Sequence, residues 1–207
     1  MVRIITIGRE YGSGGSDIAK VLGARLGWKL IDDSLVSEIA AAANSSPEAI
    51  AGCEESVDPW FHRITRALWH GGFLGSVARP EAEASDAENV ARLWHRVIVE
   101  AAEIGNCVTV GRGGQCLLQK RRDAFHVFVY APLAQKIERL KRREPRGTDL
   151  AAAARERDAR RSAYIRHYFN HDWCNPHLYH VMLCSSVGIE RAADAILQAA
   201  GLAGAHA

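Results

Sequence analysis

Residues 8–16, GREYGSGGS, combine four glycines with polar side chains in a pattern suited to phosphate binding. Glycines let backbone N–H groups approach an anion closely, and a helix that follows adds the positive end of its dipole. We therefore predict that this loop holds phosphate, with the Ser16 hydroxyl also available to Mg²⁺. The predicted phosphate-binding residues are Gly12, Ser13, Gly14, Gly15 and Ser16.

The loop departs from the standard phosphate loop, GxxxxGK[ST], at its charged position. With Ser16 in the hydroxyl position, Gly15 stands where the lysine belongs and Arg9 where the first glycine belongs. Arg9 can supply the missing charge, although a planar guanidinium has a different geometry from an ammonium. A glycine-rich turn that binds nothing is the alternative interpretation.

Arginines farther along the chain form a second group of candidates. Arg112 follows the predicted strand at 107–110, and ligands of open α/β sheets bind beyond the carboxyl ends of the strands. The segments 139–143 and 157–161 each span about one helical turn, so each places its charges on one face. Two such faces can clamp phosphate with bidentate bonds, while solvated surface charge is the alternative. The candidates in these segments are Arg139, Arg142, Arg157, Asp158 and Arg161.

Strands and helices are predicted to alternate around these residues. The first strand, the loop, a helix and a second strand follow one another directly, which is typical of a parallel α/β sheet. The predicted strands are 2–7, 28–31, 107–110, 124–130 and 179–184. The predicted helices are 17–27, 34–43, 60–70, 87–104, 132–143, 148–168 and 189–200, with a break at 71–86 and Thr148 as the cap of the sixth.

Composition narrows the class of protein. The chain has 207 residues, enough for one domain, and its net charge of +2 argues against a dedicated nucleic-acid binder. Its five cysteines are widely spaced and include no CxxC, which favours a reducing compartment. No apolar run approaches the ~20 residues that cross a membrane. We expect a cytoplasmic protein with no membrane partner.

Residues 5–36, ITIGREYGSGGSDIAKVLGARLGWKLIDDSLV, resemble the opening of cytidylate kinases, and more closely that of the cytidylate kinase-like family, whose loop is similarly lysine-free. The resemblance continues in NCVTVGRGG, FHVFVYAPLAQKIERL and RDARRSAYIRHYFNHDW, and covers most of the chain outside about 44–90. It implies an α/β P-loop three-layer fold with a parallel five-stranded sheet. It also implies one domain over 1–207, with a helical acceptor-binding insertion at about 34–104 and a lid at about 142–157.

The same resemblance implies phosphoryl transfer from ATP with Mg²⁺ to a nucleoside monophosphate. Such chemistry consists mostly of positioning and charge neutralisation. Arg112 matches an arginine that contacts the acceptor phosphate, and Asp158 and Arg161 fit the family's D-x-x-R. The expected catalytic residues are Arg112, Asp158 and Arg161 from the matched motifs, together with Arg9 for its charge in the loop. The expected acceptor-site residues are Asp32, Asp33 and Arg112 from the matched motifs, together with Arg157 from the second arginine segment.

Two further departures leave other functions open. Gly113 follows Arg112 where cytidylate kinases have an aspartate, and the segment SLVSEIA lacks the arginine that they carry after the acidic pair. The first alternative is a nucleotide-binding sensor or interaction protein with little catalytic activity. The second is a P-loop kinase of a non-nucleotide acceptor such as a sugar or a cofactor precursor. Four clustered side chains, His167, His171, Cys174 and His177, are a weaker candidate for zinc.

Overall fold

A computed structural model describes residues 1–43 and 86–204, together with residues 60, 63, 64 and 66. Its sheet has five strands in the order β2-β3-β1-β4-β5, and β1 runs parallel to both of its neighbours. The strands are β1 (Ile4–Arg9), β2 (Lys29–Ile31), β3 (Cys107–Val110), β4 (Ala124–Tyr130) and β5 (Val181–Cys184). The helices, numbered over the described residues, are α1 (Gly15–Leu26), α2 (Asp33–Ala43), α3 (Asp86–Ile104), α4 (Gly114–Leu117), α5 (Leu133–Leu140), α6 (Leu150–Phe169) and α7 (Ile189–Ala199).

The central strand β1 owes its position to a run of apolar residues. Ile4, Ile5 and Ile7 are fully buried, as expected where helices cover both faces of a parallel sheet. The largest core cluster contains Ile18 of α1 and Ile196 of α7 together with residues of β1, β3 and β4. A smaller cluster joins Phe128 of β4 to residues of α6 and the segment after it. The glycine-rich loop lies at the carboxyl end of β1, between this buried strand and α1.

The chain divides into two compact units. The first comprises Met1–Leu30 and Gly105–Ala207, and it contains most of the sheet and the glycine-rich loop. The second, Ile31–Ile104, contains α2 and α3, whose apolar residues Ile39, Val97 and Ile98 are fully buried. No helix among the described residues is long and apolar enough to span a membrane.

Most of the elements predicted from the sequence are confirmed, and the differences lie at their ends. β3 and β4 match their predicted bounds, whereas β1 begins and ends two residues later than predicted. The helix predicted at 132–143 is shorter, because α5 ends at Leu140 and turns follow. Thr148 is not the cap of α6: the Asp149 carboxylate accepts from the N–H of Ala152 instead. The predicted helix at 60–70 lies mostly outside the described residues, as does the predicted break at 71–86.

Stability should depend on pH through a buried histidine of β4. Burial, together with the charge of His180, lowers the pKa of His126 to about 4, and its ring is hydrogen-bonded to Thr6 Oγ1 at 2.9 Å. An unfolded chain takes up this proton near pH 6.5, so below that pH the unfolded state binds a proton that the folded state excludes. The free energy of unfolding should therefore fall, by up to about 1.4 kcal/mol per pH unit, as the pH drops from about 6.5 towards 4.

Urea unfolding of His126→Gln at several pH values tests this expectation. The variant should lose less stability on acidification than the wild type. The slopes of the free energy of unfolding against pH should differ by the equivalent of about one bound proton. His167→Gln, at an exposed position of α6, is the matched control and should keep the wild-type slope. Equal slopes for all three proteins would contradict the assignment to His126.

Candidate active site

The glycine-rich loop connects β1 to α1 and presents backbone N–H groups at the start of that helix. Gly14 caps α1 in the left-handed conformation with φ 82°, and Gly12 has φ 77°. L-residues rarely adopt these angles, which explains glycine at both positions. Within the described chain, the N–H groups of Gly12, Gly14 and Ser16 donate to no atom. An anion at the N-terminus of α1 would meet these donors.

The carbonyl groups of the loop are held by Arg139 of α5. Nη1 of Arg139 donates to the Gly12 carbonyl at 3.4 Å and to the Ser13 carbonyl at 3.1 Å. A peptide's C=O and N–H point in opposite directions, so holding the Ser13 carbonyl turns the Gly14 N–H the other way. Ser185, just after β5, also donates its hydroxyl to the Ser13 carbonyl.

The position of the absent lysine is filled by the side chain of Arg9. A β-carbon added to Gly15 would lie 2.6 Å from Cβ of Arg9 and 3.3 Å from Cβ of Val129. The guanidinium of Arg9 continues past the loop and packs against Gly111, at the end of β3. Arg9 therefore prevents a side chain at Gly15 and carries its own charge towards the turn that contains Arg112.

Asp158 and Arg161 of α6 both bind the backbone of the loop. The Tyr11 N–H donates to Oδ1 of Asp158 at 2.6 Å, and Nη1 of Arg161 donates to the Arg9 carbonyl at 3.0 Å. The other carboxylate oxygen of Asp158 pairs with Nζ of Lys136 at 2.8 Å. Lys136, with a side chain only 9% exposed, also pairs with Glu10 at 3.3 Å. These contacts join the loop, α5 and α6.

Tyr11 links the loop to the segment predicted to form a lid. Its hydroxyl donates to Oε1 of Glu144, and the guanidinium of Arg157 lies 4.6 Å above its ring. Arg157 is also 3.7 Å from the same Glu144 carboxylate. Burial and the bond to Glu144 raise the pKa of Tyr11, so its hydroxyl stays protonated at neutral pH.

Arg112 lies in the turn between β3 and α4, with an exposed side chain and φ 53°. A left-handed backbone at a residue other than glycine is uncommon and is found disproportionately at functional sites. Burial raises the pKa of the nearby Tyr164 to about 12, while the charge of Arg112 opposes that shift. Phe169, at the end of α6, packs against Gly113, so α6 reaches both the loop and this turn.

Other predicted site residues have different surroundings. In the second unit, Oδ1 of Asp32 accepts from the Ser34 N–H at 3.2 Å and the Leu35 N–H at 3.3 Å and so caps α2. Asp33 is exposed in the first turn of that helix, and Arg142 is exposed in the turn after α5. No group of three or more His, Cys, Asp or Glu side chains among the described residues could hold a metal ion, so the zinc candidate gains no support.

Sequence reasoning did not identify Glu10, Glu144 or Ser185. Glu10 and Glu144 gave a weak signal, because Glu10 is an acid within the glycine-rich loop and Glu144 is an acid directly after the arginines of 139–143. Ser185 gave none, since a single serine after a strand is common. Its contact with Ser13 joins residues 172 positions apart.

A family model supplies the deciding comparison, because the cytidylate kinase-like family matches residues 4–187. The chain belongs to this family. Among curated proteins, none matches it. The family's kinase-like P-loop character agrees with a glycine-rich loop that begins a helix at the end of the central strand.

Solved structures agree with this fold at low sequence identity. An uncharacterized protein from Eubacterium ventriosum is 21% identical, with a TM-score of 0.68 over 97% of this chain and 99% of that one. A shikimate kinase from Acinetobacter baumannii, solved with shikimate, is 16% identical with a TM-score of 0.51 over 96% and 92%. A shikimate kinase from Bacteroides thetaiotaomicron is 14% identical, also with a TM-score of 0.51, over 94% and 96%. At such identities these likenesses support the P-loop fold of this cytidylate kinase-like chain.

Proposed function

We propose that this protein transfers a phosphoryl group from ATP to a nucleoside monophosphate. The observation that carries the proposal is the loop backbone: the N–H groups of Gly12, Gly14 and Ser16 donate to no described atom, while Arg139 holds the carbonyls of Gly12 and Ser13. Such a loop at a helix N-terminus suits the oxygens of a polyphosphate. The free cysteines among the described residues support the cytoplasm as the compartment.

ATP and Mg²⁺ fit the residues of the loop. Gly12, Ser13, Gly14 and Gly15 would surround the donor phosphates, with Arg139 and Arg142 adding positive charge. The half-buried hydroxyl of Ser16, on the first turn of α1, has no hydrogen-bond partner among the described residues and would hold Mg²⁺. When bound, Mg²⁺ neutralises charge on the phosphate oxygens.

The acceptor and the transferred group would be handled by the arginines. Arg9 and Arg112 approach the same turn after β3, and their charges would stabilise the phosphoryl group in transit. Asp32, Asp33 and Arg157 are the other residues that we propose for binding the acceptor. Asp158 and Arg161 would support transfer by fixing residues 9–11 of the loop. Closure of the segment at about 142–157 would exclude water, which limits hydrolysis of ATP.

An ADP-release assay across acceptors tests the function. With ATP and Mg²⁺, a nucleoside monophosphate should raise ADP release well above the rate with water alone, and cytidine monophosphate is the first acceptor to try. Thermal shifts with ATP, ADP and the acceptors separate the alternatives, since ligands of the native state raise its melting temperature. Binding of ATP without transfer would favour a sensor. Transfer only to sugars or other metabolites would favour the non-nucleotide kinase.

Arg112→Ala should lower kcat/KM for the acceptor by about 10²- to 10³-fold, the usual effect of removing one group that stabilises developing charge. ATP affinity should change little, because the donor loop is left intact. Arg122→Ala, which removes an exposed arginine from the segment before β4, is the matched control. Wild-type kcat/KM in Arg112→Ala would refute the role given to Arg112.

A further inference from the structure

Arg139 is half-buried behind the phosphate loop, and all its polar contacts within the described chain are uncharged. Its guanidinium donates to the carbonyls of Gly12, Ser13 and Ser185 and to the Ser185 hydroxyl, at 3.1 to 3.4 Å. No carboxylate of the described chain lies within ion-pair distance of it. Its charge is thus not neutralised locally.

The neighbouring cations are paired differently. Lys136 is held between two carboxylates, and Arg143 forms a two-oxygen pair with Asp17 at 2.7 and 2.8 Å. Arg139 therefore differs from both in having its charge available to whatever binds in front of the loop. A β-carbon added to Gly14 would lie 3.6 Å from Cζ of Arg139, so the charge lies close to the Gly14 N–H, which donates to no described atom.

Ser185 fixes this arrangement from the end of β5. It is fully buried, donates its hydroxyl to the Ser13 carbonyl and accepts from Nη1 of Arg139 at 3.1 Å. The Ser13 carbonyl is consequently held by two donors. Its peptide can then rotate only by breaking both bonds.

We propose that Arg139 and Ser185 are positioning residues for the donor phosphates. The guanidinium of Arg139, on the far side of the loop from the phosphates, takes the place of the lysine ammonium that a standard loop directs at them. Arg139 acts through the backbone: by holding the Ser13 carbonyl it turns the Gly14 N–H towards the phosphate, and it places an uncompensated positive charge beside that N–H. The Ser185 hydroxyl fixes the guanidinium and the Ser13 peptide relative to each other, because it is hydrogen-bonded to both. This inference rests on the proposed function, because it assumes that the loop binds a polyphosphate.

Calorimetric titration with inorganic tripolyphosphate and with ATP, each with Mg²⁺, tests the inference. Arg139→Gln should weaken binding of both probes by about 30-fold or more. Ser185→Ala should weaken it about tenfold, the loss expected for one hydrogen bond to a charged group. Arg139→Lys keeps the charge without the planar fork and should fall between the wild type and Arg139→Gln. Raising the salt concentration should narrow the gap between the Lys and Gln variants.

Two controls separate this role from general stability. Ser186→Ala changes the exposed neighbour of Ser185, and Arg122→Gln removes an exposed charge from the segment before β4. Both should bind the probes as the wild type does. In the transfer assay, Ser185→Ala should raise the KM for ATP with kcat nearly unchanged, which a merely less stable protein would not do at a temperature where it is fully folded.

Each outcome bears on the proposal. Wild-type binding of both probes by Ser185→Ala and Arg139→Gln, while the wild type transfers phosphate normally, would overturn this inference and leave the proposed function standing. Failure of the wild type to bind either probe would reject both. Equal losses in Arg139→Lys and Arg139→Gln at every salt concentration would reject the electrostatic part and leave the hydrogen-bonded clamp.

Discussion

Gly15→Lys is expected to abolish donor binding, although it restores the lysine of a standard phosphate loop. The first side-chain atom at this position would meet Cβ of Arg9 at 2.6 Å and Cβ of Val129 at 3.3 Å. Both are β-carbons fixed to strand backbones, so a rotamer change cannot relieve the contact. Overpacking of this kind typically costs about 1–3 kcal/mol, and here the strain falls on the loop that binds phosphate. We expect at least a hundredfold loss in ATP affinity.

The double substitution Arg9→Gly with Gly15→Lys separates the clash from the chemistry. It removes the side chain that fills the space and places glycine at the first position of GxxxxGK[ST]. ATP affinity should recover to within about tenfold of the wild type, so the two changes should be strongly non-additive. Gly204→Lys is the control for adding a lysine, because a β-carbon there would meet nothing within 4 Å.

Calorimetric ATP titration of the wild type, Gly15→Lys, the double variant and Gly204→Lys tests whether Arg9 excludes a lysine from position 15. If Gly15→Lys alone binds ATP as well as the wild type, Arg9 does not exclude a side chain from the loop. If the double variant binds no better than Gly15→Lys, a lysine at position 15 cannot replace the arginine at position 9 in binding ATP. Thermal melting of each variant shows whether a loss reflects the loop or the whole fold.

The sequence predicted the sheet and the loop well because their signals are local. The four residues of β3 are apolar except for Thr109, and the seven residues of β4 are mostly apolar. Short apolar runs of this kind predict buried strands. Gly27 ends α1 with φ 63°, as expected for a glycine after a helix. The position of Arg112 after β3 also followed from the order of strand and turn.

The contacts that support the loop could not be predicted, because they join distant segments through side chains with several possible partners. Asp158 matched a family motif, yet nothing in its spacing indicates that it accepts from the Tyr11 N–H, 147 residues away. Arg139 and Arg143 lie one turn apart and gave the same signal. Only their partners distinguish them: backbone carbonyls for Arg139 and a surface carboxylate for Arg143.

The absence of a lysine was visible in the sequence, but its cause was not. Gly15 alone indicates the loss of a cation from the loop. Its structural reason is the side chain of Arg9, which occupies the space that a residue at position 15 would need. Since Arg9 and Gly15 come from β1 and α1, this packing depends on how the strand and the helix meet.

Lys136→Met is expected to lower the free energy of unfolding by about 3 kcal/mol. The side chain of Lys136 is only 9% exposed, and its ammonium lies between the carboxylates of Glu10 and Asp158. Removing it leaves two negative charges facing each other in a largely buried site, which is the costly way to break a buried ion pair. The same change frees Asp158 from α5, so the loop should also bind ATP more weakly.

Urea unfolding of Lys136→Met and Lys141→Met tests the size of this effect, since Lys141 is the C-cap of the helix that contains Lys136. Lys141 is 56% exposed and pairs with Glu138, an arrangement that contributes at most about 1 kcal/mol. Combining Lys136→Met with Glu10→Gln should recover part of the loss, because one of the two unpaired charges is removed. Equal losses from the two lysines would mean that the buried triad stabilises the protein no more than a surface pair does. In that case the contact between the loop and α6 would depend mainly on the two bonds to the loop backbone, from the Tyr11 N–H to Asp158 and from Arg161 to the Arg9 carbonyl.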